Sequence, residues 1–452
     1  MSVPIVLPSV GVSVALLWRR RARSLGGTVA RPFSGIPLAL GDATYRPLFL
    51  FFLALGSAAG LWLNFVSVWL AQNLGATPAQ VGWFFSVSFL AAALGNFSMP
   101  MLAERIGSRK SVALGLMAIG VPGAIGMAFA NGYWMALISI TPLWFGAGLF
   151  ALLIGLAGDV ARARAGVGER DQSGTVIAAL QTAMAVGMTL SPLLGGWLYE
   201  QTGQLRPGVL LALVPHLVAT WILWRYVRED REDRGEGPQA PAQKRGSPSQ
   251  TSGKLGLALL TFLVLSALFR LGDARAPFES LYAAQELGAS KAQVGLLITT
   301  LAALQLVLTP VMGRLTDRVG AGRMTAAGIL CLSVHGFLLA GSTSYWQQLV
   351  LLVLTAAGLA IGSSAAFVYA QQLAPGRAAT ATGWLNACFF LGLMGGSALA
   401  GRVVELAGFR GLFVFSGAMD LASAALTAAL VVIAARSAGP GRTESAALHA
   451  RS

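Results

Sequence analysis

Four ionisable side chains interrupt a helix-like apolar run. The segment LGLALLTFLVLSALF (255–269) is followed at once by Arg270, Asp273, Arg275 and Glu279. Fifteen helical residues rise ~22 Å, short of the ~30 Å hydrocarbon layer of a bilayer. If this run spans a membrane, Arg270 and Asp273 lie within its thickness. Three residues apart, they share a helix face. Arg275 and Glu279, four apart, face roughly the other way, with Pro277 between them to distort the turn. Groups of this kind at membrane depth are costly and serve as ion, proton or solute sites. Asp273 is therefore a proton-coupling candidate, and Arg270 its partner or a solute anchor. The plainer alternative places all four charges in a watery mouth, where they only support the fold. Asp420, inside a later apolar run, is a secondary proton-site candidate. Asn64, Gln181, Gln305, Tyr369 and Asn386 are polar groups in other apolar runs. They can hydrogen-bond a solute, or one another across helices, which is their commoner use. His216 and His335 read as packing residues.

The elements that must position these groups are long apolar helices. Of 452 residues, 55% are hydrophobic and 11% charged. Soluble domains carry about 25% charged residues, so this chain lacks the polar surface of a soluble protein. Twelve stretches reach the ~20 residues a membrane span needs. Spans 1 to 6 are read at 47–71, 79–101, 111–131, 133–157, 174–198 and 207–226. Spans 7 to 12 follow at 255–280, 291–313, 323–342, 346–371, 379–401 and 411–435. This gives an N-terminal six-helix bundle (46–226), a cytoplasmic linker (227–253) and a C-terminal six-helix bundle (254–436). Residues 437–452 form a disordered cytoplasmic tail by composition. The linker, charged and then rich in Pro, Gly, Ser and Gln, cannot bury a core. Residues 1–45 form a basic segment, interfacial or disordered. Their apolar start precedes RRRAR and lacks the basic opening of a signal peptide.

Basic residues orient the chain. With both termini cytoplasmic, 26 of the 32 Lys and Arg fall on the inner side. The opposite orientation would reverse that bias. The net charge of +14 is thus loop charge beside lipid, and no nucleic-acid partner is expected. The two cysteines, Cys331 and Cys388, are far apart and suggest neither a disulfide nor a metal site.

The chain repeats itself. AQNLGATPAQVG (71–82) matches AQELGASKAQVG (284–295) at nine of twelve positions, an offset of 213. MLAERIGSRK (101–110) matches RLTDRVGAGR (314–323) at the same offset. GWLYEQTG (196–203) matches GRVVELAG (401–408) at an offset of 205. Parallel six-helix repeats suit a transporter that rocks about a site between its halves. The turns after the second span of each half carry paired charges and a Gly. These are Glu104, Arg105, Gly107 and Arg109 in the first half, and Gly313, Asp317, Arg318, Gly320 and Arg323 in the second. Such charges can clamp one state of a rocking bundle and release it in the other. The plainer reading is a positive-inside anchor.

These turns resemble the G-x-x-x-D-R-x-G-x-x-[RK] signature of the major facilitator superfamily. Pro100 stands where the first-half copy would have Gly. The resemblance covers about residues 45 to 435. It implies an all-α integral membrane protein of twelve transmembrane helices in two pseudo-symmetric bundles, and a monomer. In span 5, GMTLSPLLGG places Gly187, Pro192, Gly195 and Gly196 in a pattern similar to a motif of exporters in that superfamily. Span 4 lacks the Arg of many drug–proton antiporters, and Pro142 stands near that place. YAQQLAPGRAATATGWLN (369–386) and LYAAQELG (281–288) resemble bacterial sugar efflux transporters.

No G-K-[ST] phosphate loop, HExxH or GxSxG motif occurs in the sequence. The expectation is a secondary transporter of the plasma membrane, not an enzyme and without cofactor. It moves a small organic solute by alternating access, as a proton-coupled antiporter exporting a sugar or drug. Nutrient uptake by symport is the alternative, and a non-transporting membrane sensor the rival from another class.

Overall fold

The computed structural model describes residues 40–150, 152, 153, 156, 173–227, 252–374 and 378–437. The terminal segments, most of the 227–253 linker and the end of span 4 lie outside them. Every regular element among the described residues is a helix. Ten stretches are long and apolar enough to cross a membrane. One of them, Gly383–Ala434, has 52 residues, more than twice the length that a bilayer accommodates. It contains non-helical Gly408 (φ 70°), which separates spans 11 and 12. Span 5 is the helix Ser173–Thr202. With these two points the order follows the twelve expected spans.

The repeat is written into the backbone. Positive φ occurs at six described glycines, Gly75, Gly107, Gly203, Gly288, Gly320 and Gly408. They form three pairs at the two repeat offsets. Each ends a helix in a conformation that side chains with a Cβ resist. Thr77 with Gln80, and Ser290 with Gln293, build matching capping boxes at the starts of spans 2 and 8. Such caps are worth ~1 kcal/mol each. The first span of each half is broken at the same place. Span 1 runs Tyr45–Gly60, passes through a short 3-10 turn at Leu63–Phe65, and resumes as Val66–Gln72. Span 7 runs Ser252–Asp273 and resumes as Ala276–Gln285.

Span 1 packs on spans 5 and 6, span 2 on span 4, and span 3 on spans 4 and 6. Span 8 likewise packs on span 10 and span 9 on span 10, while spans 7 and 9 both pack on the 378–437 hairpin. Small residues allow the tightest approaches. A Cβ on Gly187 would collide with the carbonyl of Leu53, and one on Gly195 with that of Leu61. Here the span-5 glycine motif is a docking face for span 1.

The halves meet along two crossed seams, span 2 against span 11 and span 5 against span 8. Gly82 lies against Gly401 in one seam, and Gly196 against Gly295 in the other. These four glycines are again repeat pairs. Ser86 donates a hydrogen bond to the carbonyl of Met394 at 2.6 Å across the first seam. At this end of the bundle a single hydrophobic core runs through both halves, including Phe65, Phe84, Tyr199, Phe278, Tyr282 and Phe413. At the opposite end the cores are separate. One is made only of first-half residues such as Phe51, Phe52 and Met117, and another only of second-half residues such as Phe262, Tyr369 and Leu385. The bundle is thus sealed at one end and divided at the other.

Candidate functional site

Span 7 delivers its charges into the second half, next to the break. Arg270 forms an ion pair with Asp273, as their i, i+3 spacing predicts. The Arg270 guanidinium also lies 4.3 Å from the ring centre of Phe389 on span 11, a distance at which a ring face attracts a cation. Arg275 stands in the break itself and is 1% exposed. It donates to Asp420 of span 12 at 2.8 Å and to Glu279 at 3.1 Å, and lies 4.0 Å from Asp273. His335 of span 9 places its Nδ1 3.9 Å from Glu279. Gln348 of span 10 donates to the Glu279 carbonyl at 3.2 Å.

Five spans, 7 and 9 to 12, therefore converge on one ionic cluster. It grades from partly open at Arg270, with a side chain 19% exposed, to closed at Asp420 and His335, both 0%. A buried guanidinium is tolerable only when it is paired, and Arg275 has three carboxylates around it. The cluster holds Asp273, Glu279 and Asp420 against Arg270 and Arg275, one negative charge in excess while His335 is neutral. Polar capacity is also left over. Asp420 Oδ1, one terminal nitrogen of Arg275 and both ring nitrogens of His335 are buried without hydrogen-bond partners. A proton could be taken up here without any new space being opened.

The watery-mouth alternative does not describe Arg275, which is enclosed. Nor do Arg275 and Glu279 point away from the first pair, because the break at Ala274–Arg275 redirects the chain. The convergence of Asp420 and His335 on span 7 was least visible in sequence, since nothing local tied spans 9 and 12 to it.

The neutral candidates are not gathered. Asn64 is half-buried in the 3-10 turn of span 1, with a buried Nδ2 that lacks a partner. Gln181 is exposed on span 5, while Gln305 and Asn386 are half-buried on spans 8 and 11. Tyr369 is buried edge-on against Phe262, 5.0 Å between ring centres. No hydrogen bond or ring contact joins any two of these five residues. At the charged turns, Gly107 and Gly320 supply the positive φ that reverses the chain. Lys110 donates to the Trp224 carbonyl at 2.8 Å, tying the first turn to span 6. Glu104, Arg105, Arg318 and Arg323 are exposed, Arg109 and Gly313 half-buried. The side chain of Asp317 lies outside the described residues. Among the described residues no group of three His, Cys, Asp or Glu is arranged to hold a metal ion.

Comparison with known proteins places this geometry. Sugar efflux transporter A of Dickeya chrysanthemi is 24% identical over 388 residues, 86% of this chain and 95% of the relative. The multi-drug resistance efflux pump PmrA of Streptococcus pneumoniae is 25% identical over 366 residues, 77% of this chain and 86% of the relative. Among solved structures, the transporter PepTSo superposes with a TM-score of 0.69 at 13% identity, covering 85% of this chain and 97% of its own. The nucleoside transporter NupG does so with 0.66 at 15% identity, covering 86% and 99%. At such identities the likeness concerns the fold. The family model for the Major Facilitator Superfamily matches residues 48–278 and 257–450, nearly the whole described chain. The protein is a multi-pass membrane transporter, not an enzyme, and belongs to the Major Facilitator Superfamily.

Proposed function

We propose that this protein is a proton-coupled exporter of a small organic solute, a sugar or an amphipathic drug, working by alternating access. The observation that carries the coupling is the ionic cluster. Three carboxylates share two guanidiniums around the span-7 break, and one proton makes the group neutral. Asp273 and Asp420 are the carriers, Arg270 and Arg275 the groups that hold them, and His335 a neighbouring base. The Arg270–Asp273 pair, at the partly open end of the cluster, links solute to proton, since a solute that engages Arg270 loosens its hold on Asp273. The names of the relatives support export and the two solute classes.

The basic-residue bias supports cytoplasmic termini, with the sealed end facing outward. The structure then represents an inward-facing form. The charged turns at 104–109 and 313–323 stand at the divided end, where closing the bundle would bring them together. The neutral candidates Asn64, Gln181, Gln305, Tyr369 and Asn386 are offered as solute contacts for that closing movement.

Flux in proteoliposomes under an imposed pH gradient tests the proposal, with sugars and cationic dyes as solutes. Wild type should accumulate a solute against its gradient. Asp273→Asn should lose gradient-driven transport by at least tenfold yet keep solute exchange at zero gradient. A variant that pumps as well as wild type removes Asp273 from the coupling path.

A further inference from the structure

At the sealed end, two carboxylates reach across the seams to helix starts in the opposite half. Glu405, near the end of span 11, accepts a hydrogen bond from the backbone N–H of Ala79 at 3.1 Å. Glu200, near the end of span 5, accepts from Lys291 N–H at 2.6 Å and from Ala292 N–H at 3.4 Å. Both acceptors sit at the first turn of a helix, span 2 or span 8, where backbone N–H groups lack helical partners and the helix dipole favours an anion. The two sites are one site repeated. Glu200 and Glu405 are paired by the 205 offset, and Ala79 and Ala292 by the 213 offset. Thr77 and Ser290 already cap those same turns. The carboxylates supply a second, inter-half set of acceptors.

We propose that Glu200 and Glu405 are paired latches of the sealed end, each holding the first turn of a helix in the other half, and that both must release for that end to open. The inference rests on the alternating-access reading above. The surroundings fit a latch rather than a rigid core. Glu405 also accepts from Arg402 at 3.0 Å, and Arg402 is 65% exposed. The Lys291 ammonium lies 5.8 Å from the centre of the Tyr199 ring. Beneath the latches the glycine seams contribute close fit, with the Ser86–Met394 hydrogen bond in the span 2–span 11 seam. Helix-terminal anions at accessible sites contribute modestly, so the contacts can break on every cycle. Their strength lies in being two, on opposite sides of the mouth.

A buried thiol reporter tests this. Ser397 is 0% exposed in the span 2–span 11 seam, and its hydroxyl has no hydrogen-bond partner. Ser397→Cys, in a chain with Cys331→Ala and Cys388→Ala, reads opening of the sealed end through its rate of maleimide labelling in purified protein. Adding Glu200→Ala or Glu405→Ala should raise the rate about threefold, and both together about tenfold. If the double alanine variant does not fold, Glu200→Gln with Glu405→Gln is read in the same way, with a rise of about threefold. A folded double variant that labels at the parent rate overturns the latch. Gly401→Trp separates that failure from failure of the underlying reading, because it wedges the seam directly. If the wedge raises labelling and the latch variants do not, only the latch falls. If even the wedge leaves Ser397→Cys protected, the sealed end does not open, and alternating access falls with the latch.

Discussion

The two halves share a frame down to the break in their first spans, yet the break is neutral in one and charged in the other. In span 1 the positions are Ser57, Gly60, Trp62 and Val66. The Ser57 hydroxyl is spent on the carbonyl of Leu53 within its own helix, and Trp62 and Val66 are buried apolar groups. In span 7 the same positions are Arg270, Asp273, Arg275 and Glu279, drawing in Asp420 and His335 from the helices behind. A duplicated scaffold has thus kept its shape twice and concentrated its ionic chemistry once. The break fixes where a side chain leaves the helix. The residue placed there decides whether that half packs apolar groups or an ionic cluster at the break.

The comparison is broken most forcefully at the centre of the cluster. Arg275→Met leaves Asp420 and Glu279 without their guanidinium, which should cost about 3–5 kcal/mol. This is seen as a fall of roughly 3–5 °C in the detergent melting temperature. Asp420→Leu added to Arg275→Met should restore part of the loss. The matched change Trp62→Met, which strands no charge, should cost only about 1–2 kcal/mol. Equal falls for Arg275→Met and Trp62→Met would mean that charge pairing is not what distinguishes the halves.

A smaller effect sharpens it. Gly187 and Gly392 are repeat equivalents, each facing the first span of its half. A Cβ on Gly187 would have backbone atoms of span 1 as its three nearest neighbours. One on Gly392 would also come within 2.7 Å of Arg270 Cβ. Gly187→Val and Gly392→Val should destabilise alike, by about 1–3 kcal/mol. Only Gly392→Val should slow gradient-driven flux beyond its loss of folded protein, because only it moves Arg270. The smallest test sits where the halves ought not to differ. Tyr133 donates to the Gln80 carbonyl at 2.9 Å, and Tyr345 to the Gln293 carbonyl at 3.1 Å. Tyr133→Phe and Tyr345→Phe should each cost about 1 kcal/mol, and unequal melting shifts would show that the frame is less symmetric than its backbone.

Much of this architecture was legible in the sequence because it rests on local signals. Apolar run length marked the spans, and the matched strings AQNLGATPAQVG and AQELGASKAQVG marked the repeat. Gly107 and Gly320 marked the turns. The Arg270–Asp273 pair followed from helical spacing alone. Arg275 was less readable. In an unbroken helix it would stand ~140° around the axis from Arg270, and only the break brings it back to Asp273. The Arg275–Asp420 pair joins residues 145 apart in the chain, and periodicity says which face of a helix is polar but not which other helix that face will meet. Glu200 and Glu405 were visible as a repeated letter without a partner, because their donors are backbone groups that carry no side-chain signature.

The seal has a consequence for how the chain is assembled. Each half has its own core at the divided end, but they share one at the sealed end. They therefore resemble two subunits of a heterodimer, made as one polypeptide. The connection between Val227 and Ser252 raises the effective concentration at which these subunits meet. The affinity itself resides in the crossed seams. A polypeptide severed in that connection retains every contact seen between the two bundles among the described residues.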